Sequence, residues 1–361
     1  MGKKITIFVG TLEKGGAERV ISILSKKMIE NEMDVEILLF YNSKIYYPID
    51  ERIKVTSVEK ETGSTNLMKN LFWMRRYIKN NTGCLISFLA SLNIFALTAS
   101  LGLNIPVIVA DRNDPRKVPE SYLKRKLRDV LYHLAYRVVV QTSHNKEYFN
   151  NIIKRKTIII HNPVDLGNDI GIAIQTPKKK KIVTVGRLMQ QKNQKLLIDS
   201  FSSVSQKYPE YCLCIYGEGP VRKELEDYIQ GKHLEEKVFL MGQVDNIFEE
   251  ISDAELFVLS SDYEGMPNAL IEAMCIGLPV ISTDVSGAKD LIENNVSGIV
   301  VDVNSKKQLT EAMEKMLANE AFRVNCSRKA INVAKRLSPD VIFKEWLDVI
   351  GEVYDKIEKI G

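Results

Sequence analysis

Two carboxylates, Glu264 and Glu272, stand eight positions apart in the stretch SDYEGMPNALIEA that covers residues 261–273. Gly265 and Pro267 dictate a tight turn there, and Pro267 is tolerated near a helix start because its missing N–H is not required. The free amides at 265–269, those of Gly265, Met266, Asn268 and Ala269, are then placed to meet a sugar or a phosphate, and Pro267 and Leu270 complete the candidate donor-binding stretch. Glu264 and Glu272 can hold different ends of one polyhydroxylated ligand. The plainer alternative is a carboxylate that compensates a helix dipole and a second on the surface.

Three further stretches offer chemistry. Gly186, Arg187 and, five positions after the arginine, Lys192 bring a planar phosphate-binding fork and a point charge to one predicted helix start. Two cations beside the positive end of a helix suit a diphosphate. Gly217 lies in YGEGP (216–220), a turn that either lines a nucleotide or only shapes the chain. Gly15 and Gly16, in KGGAER (14–19), let backbone approach a ligand at another helix start. This loop is neither a Walker A loop, since Gly16 stands in the place of the lysine, nor a dinucleotide fingerprint.

These stretches each follow a run rich in Val and Ile. Thirteen such runs predict strands at 4–9, 35–40, 53–58, 84–89, 106–110, 137–141, 157–160, 181–185, 211–216, 237–241, 255–259, 279–282 and 298–301. Helical spacing separates many of them, as at 18–30, 66–80 and 121–136. Continuous apolar strands with helical crossovers predict two doubly wound, Rossmann-like parallel-sheet α/β domains facing across a cleft. The expected division is 1–165 and 166–337 for the two domains, and 338–361 for a terminal helix that packs back on the first.

Composition sets the class. The 361 residues exceed one hydrophobic core, and 45% apolar with 27% charged residues is ordinary for a globular protein. No run reaches the ~20 apolar residues of a membrane span. The start MGKKITIFVG reads as a buried strand, with neither a signal peptide nor a myristoylation pattern. Cys84, Cys212, Cys214, Cys275 and Cys326 are scattered and read as free thiols in a reducing cytoplasm. Residues 1–164 hold 26 Lys and Arg against 15 Asp and Glu, a charge of +11, whereas residues 165–361 hold 24 against 31, a charge of −7.

In combination the series GRL with its lysine, GEGP, Glu264 with Glu272, and GLPVISTD (277–284) closely resembles the family 4 retaining glycosyltransferases of the GT-B fold. KGGAER matches that family's first loop and NPVD (162–165) its inter-domain segment, so the resemblance spans nearly the whole chain. It implies transfer from a nucleotide-diphosphate sugar, most simply a UDP-sugar, with retention and without a metal. Arg187 and Lys192 would bind the diphosphate, Glu264 the sugar hydroxyls and Glu272 the ribose, with Gly15 and Gly16 near the phosphates. The histidine that many members carry after the fifth strand is missing from ADRNDP (110–115). Arg112 and Asn113 stand there instead, as candidates for contacting donor sugar or acceptor. His133, His144, His161 and His233 read as structural. An inverting or epimerase activity on the same fold, or a subunit that binds nucleotide sugar without turnover, are the competing readings.

The segment 116–137 holds seven Lys and Arg against Glu120 and Asp129. Leu123, Leu127, Val130, Leu131 and Leu134 form a stripe expected in the core, with Lys124, Arg125 and Arg128 outside it. Lys69, Arg75, Arg76 and Lys79, beside Leu71, Phe72 and Trp73, make a second basic helix. Together they suggest peripheral attachment to the anionic inner face of the cell membrane, where a polyprenyl-linked glycan acceptor would be met. No module for nucleic acid is present.

Overall fold

The computed structural model describes residues 4–13 and 15–358, with side chains through Asp355. The start 1–3 and Lys14 of the first loop lie outside the described residues. The chain divides into two compact units, 1–165 with 337–361, and 166–336.

In the first unit seven parallel strands form one sheet in the order β3-β2-β1-β4-β5-β6-β7. They are β1 (Ile5–Val9), β2 (Val35–Leu39), β3 (Lys54–Ser57), β4 (Cys84–Phe88), β5 (Val107–Ala110), β6 (Arg137–Val140) and β7 (Thr157–Ile159). β1, β2, β4 and β5 are buried at every residue, as expected of strands covered on both faces. Four helices carry or border the candidate residues of this unit: α1 (Gly16–Glu30), α2 (Leu67–Asn81), α3 (Ala90–Ala99) and α4 (Tyr122–Leu131). α2 packs against α3, and α3 against α4.

α4 reverses the sequence expectation. Leu123, Leu127, Val130 and Leu134 are exposed at 77, 48, 65 and 55%, while Arg128 is completely buried. The reason is a polar network under the helix. Arg128 Nη1 donates to the Val118 carbonyl at 2.7 Å, and Nε and Nη2 reach Asp129 Oδ1 at 3.0 and 2.8 Å. Its guanidinium lies 3.8 Å from Asp111 Oδ2 and over the Tyr148 ring at 5.0 Å. A buried arginine needs such partners, and once they are in place the leucine stripe faces outward.

The second unit repeats the topology with six parallel strands in the order β10-β9-β8-β11-β12-β13. These are β8 (Lys179–Val185), β9 (Cys212–Tyr216), β10 (Val238–Gly242), β11 (Ala254–Leu259), β12 (Val280–Thr283) and β13 (Ile299–Val301). α5 (Gln194–Lys207) follows β8, and α6 (Asn268–Cys275) follows β11. Its core centres on residues such as Leu197, Phe201, Leu213, Leu256 and Met313.

The last helix, α7 (Pro339–Glu358), belongs to the first unit. Trp346, Ile342 and Ile350 are at most 1% exposed, and Trp346 meets Phe88 at 6.0 Å between ring centroids. Lys27 of α1 pairs with Asp340 at 2.7 Å, and Arg137 of β6 with Glu352 at 2.7 Å. All five cysteines are free, four of them buried.

Candidate active site

In a doubly wound sheet, ligands bind beyond the carboxyl ends of the strands where the winding reverses. In the second unit that place lies between β8 and β11, which pair directly. The two loops leaving these strands are 186–193 and 260–267, and they carry Gly186, Arg187, Lys192, Glu264, Gly265, Met266 and Pro267.

The loops are stitched together. Ser260 Oγ donates to the Lys192 carbonyl at 2.9 Å, the Asp262 amide to the Gln191 carbonyl at 2.8 Å, and Gln191 Nε2 to the Tyr263 carbonyl at 2.7 Å. Asn193 adopts a left-handed conformation (φ 46°) and caps α5 through the Leu196 amide. Its Nδ2 also donates to Asp262 Oδ1 and Asn304 Oδ1, each at 2.6 Å. Thr283 Oγ1 adds a bond to the Ser261 carbonyl at 2.7 Å. Sequence reasoning passed over Gln191, Asn193 and Ser260 and gave Ser261 and Thr283, inside quoted stretches, no role of their own; an Asn directly before a helical run is the cap signal that could have drawn attention to Asn193.

Within this frame Lys192 Nζ meets Glu264 Oε1 at 2.6 Å, and Ser261 Oγ donates to the same oxygen at 2.7 Å. The pair is mostly buried, at 20 and 8% side-chain exposure, so neither charge is easily left alone. Among the described residues Glu264 Oε2 accepts no hydrogen bond. Arg187 is exposed; its carbonyl accepts from Gln194 Nε2 at 3.2 Å, while its guanidinium forms neither hydrogen bond nor ion pair with any described residue. The amides of Gly265 and Ala269 likewise donate to no described residue, since the first turn of α6 begins its bonding at Leu270, whose amide reaches the Pro267 carbonyl. Met266 and Pro267 are buried, Asn268 and Ala269 half-buried. Glu272 is half-buried on α6, two turns beyond Glu264. The ensemble offers an unpaired guanidinium, an ammonium, open amides at a helix start and one open carboxylate oxygen. That combination can grip an anion and a hydroxyl side by side.

The GEGP turn has a structural explanation. A Cβ on Gly217, at φ +134°, would lie 2.1 Å from the Gly186 carbonyl oxygen, and one on Gly219 would lie 2.1 Å from that of Leu188. Backbone bonds from Gly186 to Tyr216 and from Leu188 to Glu218, both 2.9 Å, run through the same contact. These glycines let the turn after β9 brace the Arg187 loop from behind.

The remaining candidates lie in the first unit. Gly15 is the cap of α1, and the Glu18 side chain folds back over it, so that a Cβ at Gly15 would stand 2.2 Å from Glu18 Oε2. Burial raises the Glu18 carboxyl above its ordinary value, with a hydrogen bond to its own backbone opposing and Glu13 adding to the rise. A carboxylate therefore already sits where an anion would bind at this helix start. Arg112 is 7% exposed beyond β5, with Nη1 donating to Asn162 Oδ1 at 2.9 Å and its guanidinium 4.9 Å from the Phe88 ring centre. Its Nε and Nη2 have no hydrogen-bond partner among the described residues. The Asn113 carbonyl accepts from Asn145 Nδ2 at 3.3 Å.

Comparison with known proteins places the chain. Residues 172–333 match the family model described as glycosyl transferases group 1. A Campylobacter jejuni relative, GalNAc-alpha-(1->4)-GalNAc-alpha-(1->3)-diNAcBac-PP-undecaprenol alpha-1,4-N-acetyl-D-galactosaminyltransferase, is 31% identical over 97% of this chain and 99% of its own. The amylovoran biosynthesis glycosyltransferase AmsD of Erwinia amylovora is 29% identical over 97% of this chain and all of its own. Among solved structures, Anabaena Alr3699/HepE in complex with UDP-glucose superposes with a TM-score of 0.82, covering 97% of this chain and all of that one, at 18% identity. Sequence kinship along the whole length and a shared two-sheet fold agree, and the chain belongs to the glycosyl transferases group 1, a GT-B glycosyltransferase of the retaining family 4 type.

Proposed function

We propose that this glycosyltransferase moves a hexose or N-acetylhexosamine from a UDP-sugar to a polyprenyl-linked glycan, with retention at the anomeric carbon and without a metal ion. The observation that carries the reading is the single cluster of exposed Arg187, the Lys192–Glu264 pair and the open Oε2 of Glu264. The sugar-diphosphate part of a donor needs cations and hydroxyl acceptors next to each other, and this cluster supplies both. The name of the Campylobacter jejuni relative specifies a glycan on PP-undecaprenol, that of the Erwinia amylovora relative amylovoran biosynthesis, and the Anabaena structure holds UDP-glucose.

In this account Arg187 and Lys192 take the diphosphate and stabilise the charge that grows on it as the bond between the anomeric carbon and the phosphate oxygen breaks. Glu264 Oε2 accepts from a donor-sugar hydroxyl, while Oε1 keeps the lysine in place. The amides of Gly265 and Ala269 face the same ligand, and Glu272 accepts from the ribose hydroxyls. The acceptor oxygen bonds to the anomeric carbon from the face that the phosphate leaves, and its proton passes to the departing phosphate oxygen. The basic first unit is assigned to the acceptor and to the anionic membrane surface that carries it, with Arg112 and Asn113 beyond β5 as candidate contacts. Among the described residues no helix is long and apolar enough to cross a membrane.

A thermal-shift screen of UDP-, GDP- and ADP-sugars, run with EDTA present, tests the donor. A ligand that binds the folded state raises the unfolding temperature, by an amount that grows with the logarithm of its concentration relative to Kd. The expected result is a shift with UDP-sugars that EDTA leaves intact. No shift with any nucleotide sugar, or one that vanishes with the chelator and returns with a divalent cation, would contradict the proposal.

A further inference from the structure

We infer that α4 is a membrane-inserting helix whose leucine face sits among the headgroups and upper acyl chains of an anionic bilayer, so that attachment is apolar as well as electrostatic. The inference rests on the proposed lipid-linked acceptor for the identity of the surface, and on the geometry of α4 for the mode of binding.

Leu123, Leu127 and Val130 fall within a roughly 60° arc of the helix at ~100° per residue. All three are exposed, and Leu134, in the turn that continues the helix, is exposed with them. Ile152, at 65% exposure, is carried by a short helix that packs on that turn and extends the apolar surface. Side chains of this kind scattered singly on a surface need no explanation, but several on one helix stripe do. The cations frame the stripe and do not oppose it. Lys124 and Lys126 flank it on either side and are exposed, and Lys126 lies over the Tyr122 ring at 5.5 Å. An apolar ridge edged by lysines complements an anionic bilayer, where the ridge enters and the ammonium groups meet the phosphates. A second copy of the chain would instead bring these lysines against one another.

The inward side of the helix is equally specific. Arg128 is fixed to Asp129, Val118 and the neighbourhood of Asp111, so α4 cannot roll to bury its leucines without stranding a charge in the core. The outward leucines are therefore a fixed feature of the folded unit. Asp111 directly precedes Arg112 and Asn113, which ties the membrane-facing helix to the loop assigned to the acceptor.

The test is flotation with vesicles of phosphatidylcholine alone and of phosphatidylcholine mixed with phosphatidylglycerol, at low and high salt. It uses the whole chain, the variant Leu123→Glu/Leu127→Glu/Val130→Glu and the variant Lys124→Gln/Lys126→Gln. Wild type should float with the anionic vesicles and keep part of its binding at high salt. The glutamate variant should bind about tenfold more weakly or worse, given the apolar area each side chain removes from water, and the glutamine variant should lose mainly the salt-sensitive part. Circular dichroism and UDP-sugar binding without lipid, measured on the same samples, show that both variants are folded. Binding by the glutamate variant equal to wild type would overturn insertion, as would complete loss of wild-type binding at high salt. A wild-type dimer in sedimentation that the glutamate variant lacks, with no vesicle binding, would assign the face to a second copy and overturn it too. UDP-sugar binding without vesicle binding sinks this inference alone, and vesicle binding without any nucleotide-sugar binding sinks the proposed function alone.

Discussion

Glu264 does two things with its two oxygens. Oε1 is saturated by Lys192 and Ser261 and fixes the ammonium in place, while Oε2 remains open to a ligand. Neutralising it to glutamine should loosen the lysine and weaken the sugar contact together. At Asp111 the chemistry is of a different kind. Burial, partly offset by Arg128 and a hydrogen bond from Tyr132, pushes its carboxyl from 3.8 to about 6. Arg128, Tyr132, Asp129 and Arg112 are the charged or titratable groups around it. Because the folded value lies above the unfolded one, the folded state binds the proton more tightly, and this group lowers stability as pH rises from 3.8 through about 6. Thermal melts of wild type and Asp111→Asn at about pH 7.5 and about pH 5 should therefore differ in a set direction. The wild type gains on the variant as pH falls; a gap that moves the other way would contradict the buried-carboxyl account. Which residues to weigh as candidates was readable from their types and from their places after strands. That Lys192 and Glu264 touch was not, since the contact spans 72 positions and depends on two loops meeting at the reversal of the sheet.

At the scale of elements, all thirteen strands were legible, the buried ones as short continuous runs of Val, Ile and Leu and exposed ones such as β3 by their place in the alternation with helices. α4 was not. A period of 3.6 shows that a helix has an apolar stripe, but not whether protein or another phase covers it. The deciding fact, an arginine paired beneath the helix, lies in the residues around Val118, Asp111 and Tyr148. The GEGP turn was likewise ambiguous in sequence, and its glycines turn out to serve close backbone packing. Gly219→Ala should lower stability by about 1–3 kcal/mol, because the new Cβ meets backbone that cannot swing aside. It should also weaken donor binding by shifting the Arg187 loop. Gly231→Ala, where a Cβ meets nothing within 4 Å, should be neutral or slightly stabilising. Equal melting temperatures for the two variants would refute the bracing role.

At the scale of the molecule, one topology is used twice with opposite charge. Both sheets reverse their winding beside their first strand, at β1 and β4 and again at β8 and β11. The half that carries the Arg187 cluster is net acidic, yet it sets Arg187 and Lys192 together where the diphosphate is assigned. The half assigned to acceptor and membrane carries the excess of +11. The central claim is that Arg187 belongs to the diphosphate and Glu264 to the sugar. It is tested most directly by calorimetric titration of UDP into wild type, Arg187→Ala and Glu264→Gln, with turnover of the UDP-sugar measured alongside. Arg187→Ala should bind UDP roughly 10–100-fold more weakly, as expected for one charge-assisted contact. Glu264→Gln should keep UDP affinity closer to wild type and lose about 10²-fold or more in turnover. Equal UDP affinity for wild type and Arg187→Ala would contradict the account.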